Sequence, residues 1–216
     1  MIAMKKGFLI SVEGIDGAGK RTLTSFIKKY IESQKLNAIQ FEYPDYSSIW
    51  GKIIDNYLHN KIEISINEQF FLYFIDILKD QAKLIQLLNT DTCIILDRYF
   101  SSTVAFQCAK NFNYQKALAI IETMDIILPD LTIFIQIPPE IALQRKYNQK
   151  GFIDRHEKDI ELLTNVDCIY EKMMNEKVLS RNWIKLDGNQ EKEILQNITK
   201  EIITEFFTRK PPSGAN

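Results

Sequence analysis

Cysteine and histidine are scarce in this sequence, which has three cysteines and two histidines among 216 residues. Cys93, Cys108 and Cys168 are scattered without CxxC spacing, so they fit reduced thiols and not a disulfide framework. His59 and His156 lie far apart, and no carboxylate or cysteine stands at ligand spacing from either one. The sequence therefore predicts no zinc site and no histidine base, and we expect a cytoplasmic location.

The sequence also lacks an excess of charge of one sign and lacks long apolar runs. Twenty-seven basic and 28 acidic residues give a net charge of −1, so any phosphate recognition must be local. Residues 1–12 contain two lysines and too short an apolar run for a signal peptide, and no stretch is long enough to span a bilayer. We expect neither a nucleic acid nor a membrane as partner.

Only eight glycines are present, yet Gly14, Gly17 and Gly19 stand close together and directly before Lys20. They follow an apolar run at residues 8–12 that predicts a buried strand, and an amphipathic helical pattern comes next. Strand, glycine-rich turn and helix are the context of a phosphate-binding loop, in which backbone N–H groups, the helix dipole and the lysine converge on one anion. The alternative is an ordinary tight strand-to-helix turn.

The loop departs from the pattern G-x-x-x-x-G-K-[ST] at its last position. Arg21 stands where a hydroxyl that binds magnesium is expected, and Thr22 comes one residue late. Because a helix turns by about 100° per residue, we expect Thr22 to point away from the site where Arg21 points in. Metal binding should therefore depend on carboxylates and phosphate oxygens.

Two aspartates and an arginine are candidates for this chemistry. Asp97 ends an apolar strand, where it can hold Mg²⁺ directly or through water; the alternatives are pairing with Arg98 or capping the next helix. Asp16 places a carboxylate near bound phosphates, which favours a cation between them unless the side chain bonds the loop backbone. Arg98 can grip a second phosphate with its bidentate fork.

Apolar runs that predict strands alternate with amphipathic patterns that predict helices. The predicted strands cover residues 8–12, 38–43, 92–96, 131–137 and 183–186. Such alternation implies right-handed crossovers and a parallel sheet with helices on both faces. We expect an α/β fold, with one domain at residues 1–208 and a disordered tail at 209–216.

The sequence also predicts two long helices and a loop. Residues 66–88 read as a single long helix and residues 156–179 as another. The polar, basic stretch at 147–155 reads as a loop, part of a lid at about 146–156 that can close over a transferring phosphoryl group. The alternative is a solvated charged loop. Ligands bind beyond the carboxyl ends of parallel strands, so the glycine loop and residues 97–99 should meet at one edge.

Three motifs resemble the thymidylate kinase family. They are EGIDGAGKRT at residues 13–22, DRYFSSTVAFQ at 97–107 and DRHE at 154–157. The resemblance covers nearly the whole chain and implies a three-layer P-loop kinase fold with a five-stranded parallel sheet, flanking helices and a short lid. It also implies transfer of a phosphoryl group from ATP to dTMP with Mg²⁺, and a homodimer for which residues 66–88 offer a candidate surface.

The resemblance further implies roles for individual residues. The ATP phosphates would be held by Gly14, Ile15, Asp16, Gly17, Ala18, Gly19, Lys20, Arg21 and Thr22. The dTMP site would comprise Asp16, Tyr46, Tyr73, Arg98, Ser102, Thr103, Gln107, Asp154 and Glu157. Catalysis would rest on Lys20, Arg21, Asp16, Arg98 and Arg145, and the metal would be held by Asp16, Asp97 and Glu157.

The sequence departs from the family pattern at three positions. Arg21 replaces the magnesium hydroxyl, Ile77 stands where an arginine is usual, and Asp45 stands where an arginine or glutamate is common. We interpret these as a variant site. The alternatives are a P-loop kinase for another nucleotide or nucleoside, a catalytically weakened relative, and a nucleotide-dependent switch, although a guanine-reading NKxD segment is absent from the sequence.

Overall fold

The computed structural model describes residues 7–150 and 159–208, and its strands form one parallel sheet. The strands are β1 (Leu9–Glu13), β2 (Ala38–Glu42), β3 (Cys93–Asp97), β4 (Leu131–Gln136) and β5 (Trp183–Asp187). Their order across the sheet is β2-β3-β1-β4-β5. The predicted five-stranded parallel sheet flanked by helices is confirmed.

The helices of the described residues alternate with these strands. They are α1 (Lys20–Ser33), α2 (Ile49–Leu58), α3 (Ile66–Leu78), α4 (Gln81–Leu88), α5 (Phe100–Ala109), α6 (Tyr114–Glu122), α7 (Pro139–Lys150), α8 (Ile160–Glu176) and α9 (Lys192–Thr208). Several begin at side chains that accept a hydrogen bond from an otherwise unpaired N–H of the first turn. Ser48 caps α2 and Asn113 caps α6 in this way, and Ser65 forms a capping box with Glu68 at α3.

Burial shows that helices cover both faces of the sheet. Every residue of β1 and β3 is buried, and side chains alternate between the two faces along a strand, so neither face is open to water. On one face Phe134 of β4 stacks on Tyr170 of α8, with ring centroids 5.0 Å apart. None of the described helices combines the length and the apolar character needed to cross a bilayer.

The register of the sheet brings the ends of β1 and β3 together. Val12 of β1 pairs with Asp97 of β3, and Arg98 N donates to the carbonyl of Val12 over 3.1 Å. The glycine-rich loop that follows β1 therefore lies beside residues 97–99. The carboxyl edge of a parallel sheet is where such folds bind ligands, so the fold places the predicted site there.

The prediction of a single helix over residues 66–88 is wrong, because the segment forms α3 and α4. The break lies at Lys79 and Asp80, whose side chains bond to neighbouring elements. Lys79 Nζ lies 3.4 Å from Asp45 Oδ2, and the Tyr43 hydroxyl donates to Asp80 Oδ2 over 3.0 Å. These tertiary contacts fix a bend that the apolar periodicity did not reveal.

Two other boundaries also differ from the prediction. Residues 147–150, predicted as a loop, continue α7, since neither proline nor glycine interrupts the sequence between Pro139 and Lys150. The helix predicted to reach residue 179 ends at Glu176, because Lys177 adopts a left-handed backbone with φ of 55°. The remainder of the predicted lid, residues 151–156, and the predicted tail at 209–216 lie outside the described residues.

Neighbouring aliphatic residues of α4 give a test of the core. Leu84 is fully buried, whereas Ile85 is 49% exposed. We expect Leu84→Ala to lower the free energy of unfolding by about 2–5 kcal/mol through lost burial and a cavity, and Ile85→Ala to lower it by less than about 1 kcal/mol. Urea unfolding measures both values. Equal losses would contradict the described packing of α4.

Candidate active site

A cavity of about 500 Å³ opens at the carboxyl edge of the sheet. Most of the residues predicted for the site share its wall. They are Asp16, Gly17, Gly19, Lys20, Arg21, Thr22, Tyr46, Tyr73, Asp97, Arg98, Ser102, Thr103 and Gln107. Gly14, Ile15 and Ala18 lie behind the wall, and Ile15 and Ala18 are buried in the core. Thr22 lines the cavity together with Arg21.

The three loop glycines are required by the backbone. Gly14, Gly17 and Gly19 have φ of 139°, 85° and 94°, a region that favours glycine. A Cβ on Gly17 would lie 2.4 Å from the carbonyl oxygen of Ala142 in α7. The loop thus packs directly against the α7 backbone. It leads into the first turn of α1, where N–H groups lack helical partners.

The Asp16 carboxylate is shared by three cations from different elements. Its Oδ1 lies 2.7 Å from Arg98 Nη2, 3.8 Å from Lys20 Nζ and 3.9 Å from Lys146 Nζ. Burial alone would raise the pKa of Asp16, but the nearby Arg98, Lys20 and Lys146 hold it well below its usual range. The carboxylate is therefore ionised and balances part of the positive charge.

Lys20 is held close to the loop that it serves. Its Nζ donates to the carbonyl of Ile15 over 2.8 Å, and the residue is only 6% exposed. Burial lowers the pKa of Lys20 to about 8, and the positive charge of Arg98 acts in the same direction. An anionic ligand at the loop would favour the charged ammonium, so anion binding and protonation of Lys20 support each other.

Arg98 is fixed both by its backbone and by its side chain. Its φ of 72° lies in the left-handed region, which is unusual for a residue with a side chain. Its Nη1 donates to the carbonyl of Gly14 over 2.9 Å and to Ser102 Oγ over 3.2 Å, while Nη2 donates to Asp16. The guanidinium carbon lies 5.1 Å from the ring centroid of Phe106.

Beneath Arg98 lies a buried acid that the sequence analysis did not single out. Glu13, the last residue of β1, is fully buried, and its Oε2 accepts hydrogen bonds from Ser102 Oγ at 2.6 Å and the Tyr170 hydroxyl at 3.1 Å. Burial raises the pKa of Glu13 to about 7 against the opposing effects of these bonds and of Arg98. The sequence signal that could have identified Glu13 is an acidic residue at the end of an otherwise apolar strand.

The wall beyond Arg98 is less charged. Tyr46 is 47% exposed, whereas Thr103 and Gln107 are almost fully buried. Gln107 Oε1 is buried without a hydrogen-bond partner among the described residues, so it is an available acceptor at the cavity. Ile77 is also buried and lines the cavity, which makes this part of the wall apolar.

One predicted residue, Arg145, lies apart from the cavity wall. Arg145 does not line the cavity, and its Nη1 donates to the carbonyl of Gly188 in the turn after β5 over 3.0 Å. Its neighbour on α7, Lys146, does line the cavity. Asp154 and Glu157 lie outside the described residues.

The metal-ligating capacity of the described site comes from carboxylates. Asp97 is 5% exposed, and burial raises its pKa although Lys20 and Arg98 lower it. The described residues contain no group of three or more histidine, cysteine or acidic side chains placed to hold a metal. Asp16 and Asp97 both line the cavity, and a magnesium ion typically needs only one or two protein carboxylates when phosphate oxygens and water complete its shell. The donor set fits Mg²⁺ bound with a nucleotide.

A glycine-rich loop between a buried strand and a helix, facing a second cationic centre across one cavity, defines a P-loop phosphotransferase. A family model described as "Thymidylate kinase" matches residues 12–198. The chain belongs to the thymidylate kinase family.

Individual relatives match over most of their length. The chain is 30% identical to a thymidylate kinase of Thermoanaerobacter sp., covering 92% of this chain and 96% of that protein. It is 28% identical to the thymidylate kinase of Dictyostelium discoideum, with coverage of 95% and 89%. A solved thymidylate kinase from Candida albicans superposes with a TM-score of 0.77 at 25% identity, covering 94% of both chains.

The raised pKa of Glu13 predicts a pH-dependent stability difference between the wild type and Glu13→Gln. The folded pKa of about 7 exceeds the usual glutamate pKa of 4.5, so the folded state binds the extra proton between these values. Wild-type stability should therefore fall as pH rises from 5 to 8, whereas the Glu13→Gln variant lacks this contribution. We expect the variant to gain about 2–3 kcal/mol relative to wild type over that range. Urea unfolding at both pH values tests this, and an unchanged difference would refute the assignment.

Proposed function

We propose that this protein transfers the γ-phosphoryl group of ATP to dTMP, giving dTDP, with Mg²⁺ bound at the phosphates. One observation carries the proposal: Lys20 and Arg98 line the same cavity and both approach the Asp16 carboxylate. A donor phosphate at the loop and an acceptor phosphate at Arg98 can therefore meet. Membership of the thymidylate kinase family supports dTMP as the acceptor.

On the donor side, the loop from Gly14 to Thr22 would hold the ATP phosphates. Backbone N–H groups of the loop and the start of α1 supply hydrogen bonds, and Lys20 and Arg21 supply charge. Arg145 would approach the donor nucleotide from α7, since its guanidinium reaches the turn after β5. Lys146, from the same helix, adds a further cation at the cavity.

On the acceptor side, Arg98 would bind the dTMP phosphate and Asp16 the sugar or phosphate. Tyr73 would stack on the thymine, and Tyr46 would close over the sugar, because an aromatic face packs well against a base or a deoxyribose. Ser102, Thr103 and Gln107 stand along the wall where the thymine edge would lie. Asp154 and Glu157 would complete this side.

Magnesium would be held by Asp16 and Asp97, with Glu157 as a further ligand. When bound, the ion would neutralise charge on the phosphate oxygens. The acceptor phosphate is already an anion at neutral pH, so no strong general base is needed. Lys20, Arg21 and Arg98 would align the two phosphates and stabilise the charge that develops during in-line transfer.

Domain extent, lid and location are properties of the whole chain. We propose one kinase domain over residues 1–208, with a lid at about 146–156 that closes over the phosphates. Its described part has one main hydrophobic core around the sheet, which supports this division. A cytoplasmic location is proposed as well, supported by Cys93, Cys108 and Cys168, which form no disulfide in the described part of the chain.

Replacing Lys20 tests the donor side. We expect Lys20→Ala to lower kcat for dTDP formation by at least about 100-fold, since a preorganised cation is lost where charge develops. Lys29→Ala is the matched control, because Lys29 lies exposed on the same helix away from the cavity. Its kcat should stay within about twofold of wild type. Circular dichroism and thermal unfolding verify that both variants fold; near-normal turnover by folded Lys20→Ala would refute the role of Lys20.

The acceptor is tested by a screen with ATP and Mg²⁺. We expect ADP release to be fastest with dTMP and slower with dUMP, dCMP and dGMP, because the cavity wall offers the Gln107 acceptor and an apolar surface at Ile77. Faster turnover of another nucleotide would identify a different P-loop kinase. Tight binding of ATP and dTMP without turnover would identify a catalytically weakened relative.

A homodimer is proposed through the predicted surface at residues 66–88. Phe71 of α3 is 49% exposed, and an exposed aromatic on a helix is typical of such contacts. Light scattering should give about twice the 25.2 kDa of one chain, and Phe71→Glu should halve that mass. The control is Ile194→Glu, which charges a comparably exposed position on α9. A wild-type monomer, or equal effects of both substitutions, would contradict this surface.

A further inference from the structure

We propose that Glu13, Ser102 and Tyr170 form a buried support that positions the Arg98 guanidinium for the acceptor phosphate. Glu13 and Tyr170 are then positioning residues that act through Ser102 and do not touch substrate. The inference rests on the proposed function, because it assigns these side chains to the acceptor half of the same reaction. It also gives the Ser102 hydroxyl a role that differs from contact with the thymine.

Arg98 needs a support that persists when ligands bind. Among the hydrogen-bond partners of its guanidinium, Asp16 is 30% exposed and is the group proposed for the metal and the acceptor. When Asp16 turns to these ligands, the carbonyl of Gly14 and Ser102 Oγ still hold Nη1. Ser102 Oγ is therefore a side-chain contact that can hold Arg98 while Asp16 binds ligands.

The hydrogen bonds around Ser102 allow only a few proton arrangements. Ser102 has a single O–H, and its Oγ lies 2.6 Å from Glu13 Oε2, so this proton goes to the carboxylate when Glu13 is ionised. Its lone pairs then face Arg98 Nη1 at 3.2 Å and the Tyr170 hydroxyl at 2.7 Å, whose single proton is shared between Ser102 Oγ and Glu13 Oε2. Glu13 thus aligns the serine as an acceptor for the arginine. With Glu13 absent, the hydroxyl could rotate and leave Nη1 without this acceptor.

Tyr170 completes the support from α8. Its ring is fully buried and stacked on Phe134, while its hydroxyl contacts both Ser102 and Glu13. A tyrosine held by its ring places its hydroxyl with little freedom. The support therefore joins β1, α5 and α8, three elements whose mutual packing sets the direction of Arg98.

The left-handed backbone of Arg98 makes such a support necessary. A φ of 72° is energetically unfavourable for a residue with a side chain, so surrounding contacts must hold Arg98 in this conformation. Its N–H bond to Val12 and its side-chain bonds to Gly14 and Ser102 supply those contacts. Loss of the Ser102 contact should therefore loosen the guanidinium while leaving the sheet in place.

Tyr170→Phe tests the support, because it removes one hydroxyl and keeps the stacked ring. We expect KM for dTMP to rise about tenfold, because the Ser102 contact that positions the charged Arg98 is weakened on the acceptor side. KM for ATP should stay within about twofold. The matched control is Tyr114→Phe: the Tyr114 hydroxyl donates to Glu176 of the same α8 over 2.6 Å, away from the cavity. Its KM values should equal those of wild type. A lower melting temperature for Tyr170→Phe with unchanged KM for dTMP would overturn the proposal.

A double-mutant cycle separates action through Arg98 from a general structural effect. In an Arg98→Lys background, adding Tyr170→Phe should change KM for dTMP less than twofold, because the group being positioned is already gone. A further tenfold rise would show that Tyr170 acts elsewhere and would overturn the proposal. Where Tyr170→Phe fails to fold, Glu13→Leu, which removes the buried carboxylate away from the cavity wall, replaces it in the cycle with the same expected outcomes.

A readout that needs no turnover keeps this proposal distinct from the proposed function. Nitrogen-15 NMR of arginine side chains reports rotation of the Arg98 guanidinium, which the bonds to Gly14, Ser102 and Asp16 should slow. Tyr170→Phe should speed this rotation and Tyr114→Phe should not. A wild type that fails to phosphorylate dTMP would refute the proposed function alone, whereas unchanged rotation in Tyr170→Phe would refute the support alone.

Discussion

The site depends on the attraction between one carboxylate and the cations that surround it. Arg98, Lys20 and Lys146 come from three separate elements, and their positive charges would repel one another at the distances observed. Asp16 supplies the counter charge that lets them share one cavity before substrates arrive. Phosphates that enter bring further negative charge, so the cationic side chains are already arranged for the groups they are to bind.

The parallel sheet supplies the geometry in which this attraction can act. Central β1 lies between β3 and β4, so the loop that follows it is next to the ends of both neighbours. Pairing of Val12 with Asp97 sets Arg98 against the loop, and close packing of Gly17 on Ala142 sets α7 against its other side. Strand pairing and helix packing thereby bring together charges that are far apart in the sequence, which reduces the entropy lost on ordering them.

Local patterns allowed the strands, most of the helices and the phosphate loop to be predicted. The strand before Gly14 and the lysine after Gly19 form one contiguous signal, and Arg98 follows an apolar strand. The bend at Lys79 and Asp80 was missed because it depends on Tyr43, about 37 residues away in the chain. The partnership of Glu13 with Tyr170 spans 157 residues, so no sequence window contains both. Its formation depends on how α8 packs on the sheet, which periodicity does not report.

The missing side chain at Gly17 has a consequence for how the site can vary. Its Cα surface faces the carbonyl of Ala142 so closely that even a methyl group would push α7 outward. That helix carries Arg145 and Lys146 about one turn beyond Ala142, so a methyl group at this loop position would displace both cations. The absence of a side chain at position 17 therefore sets the spacing between the phosphate loop and α7.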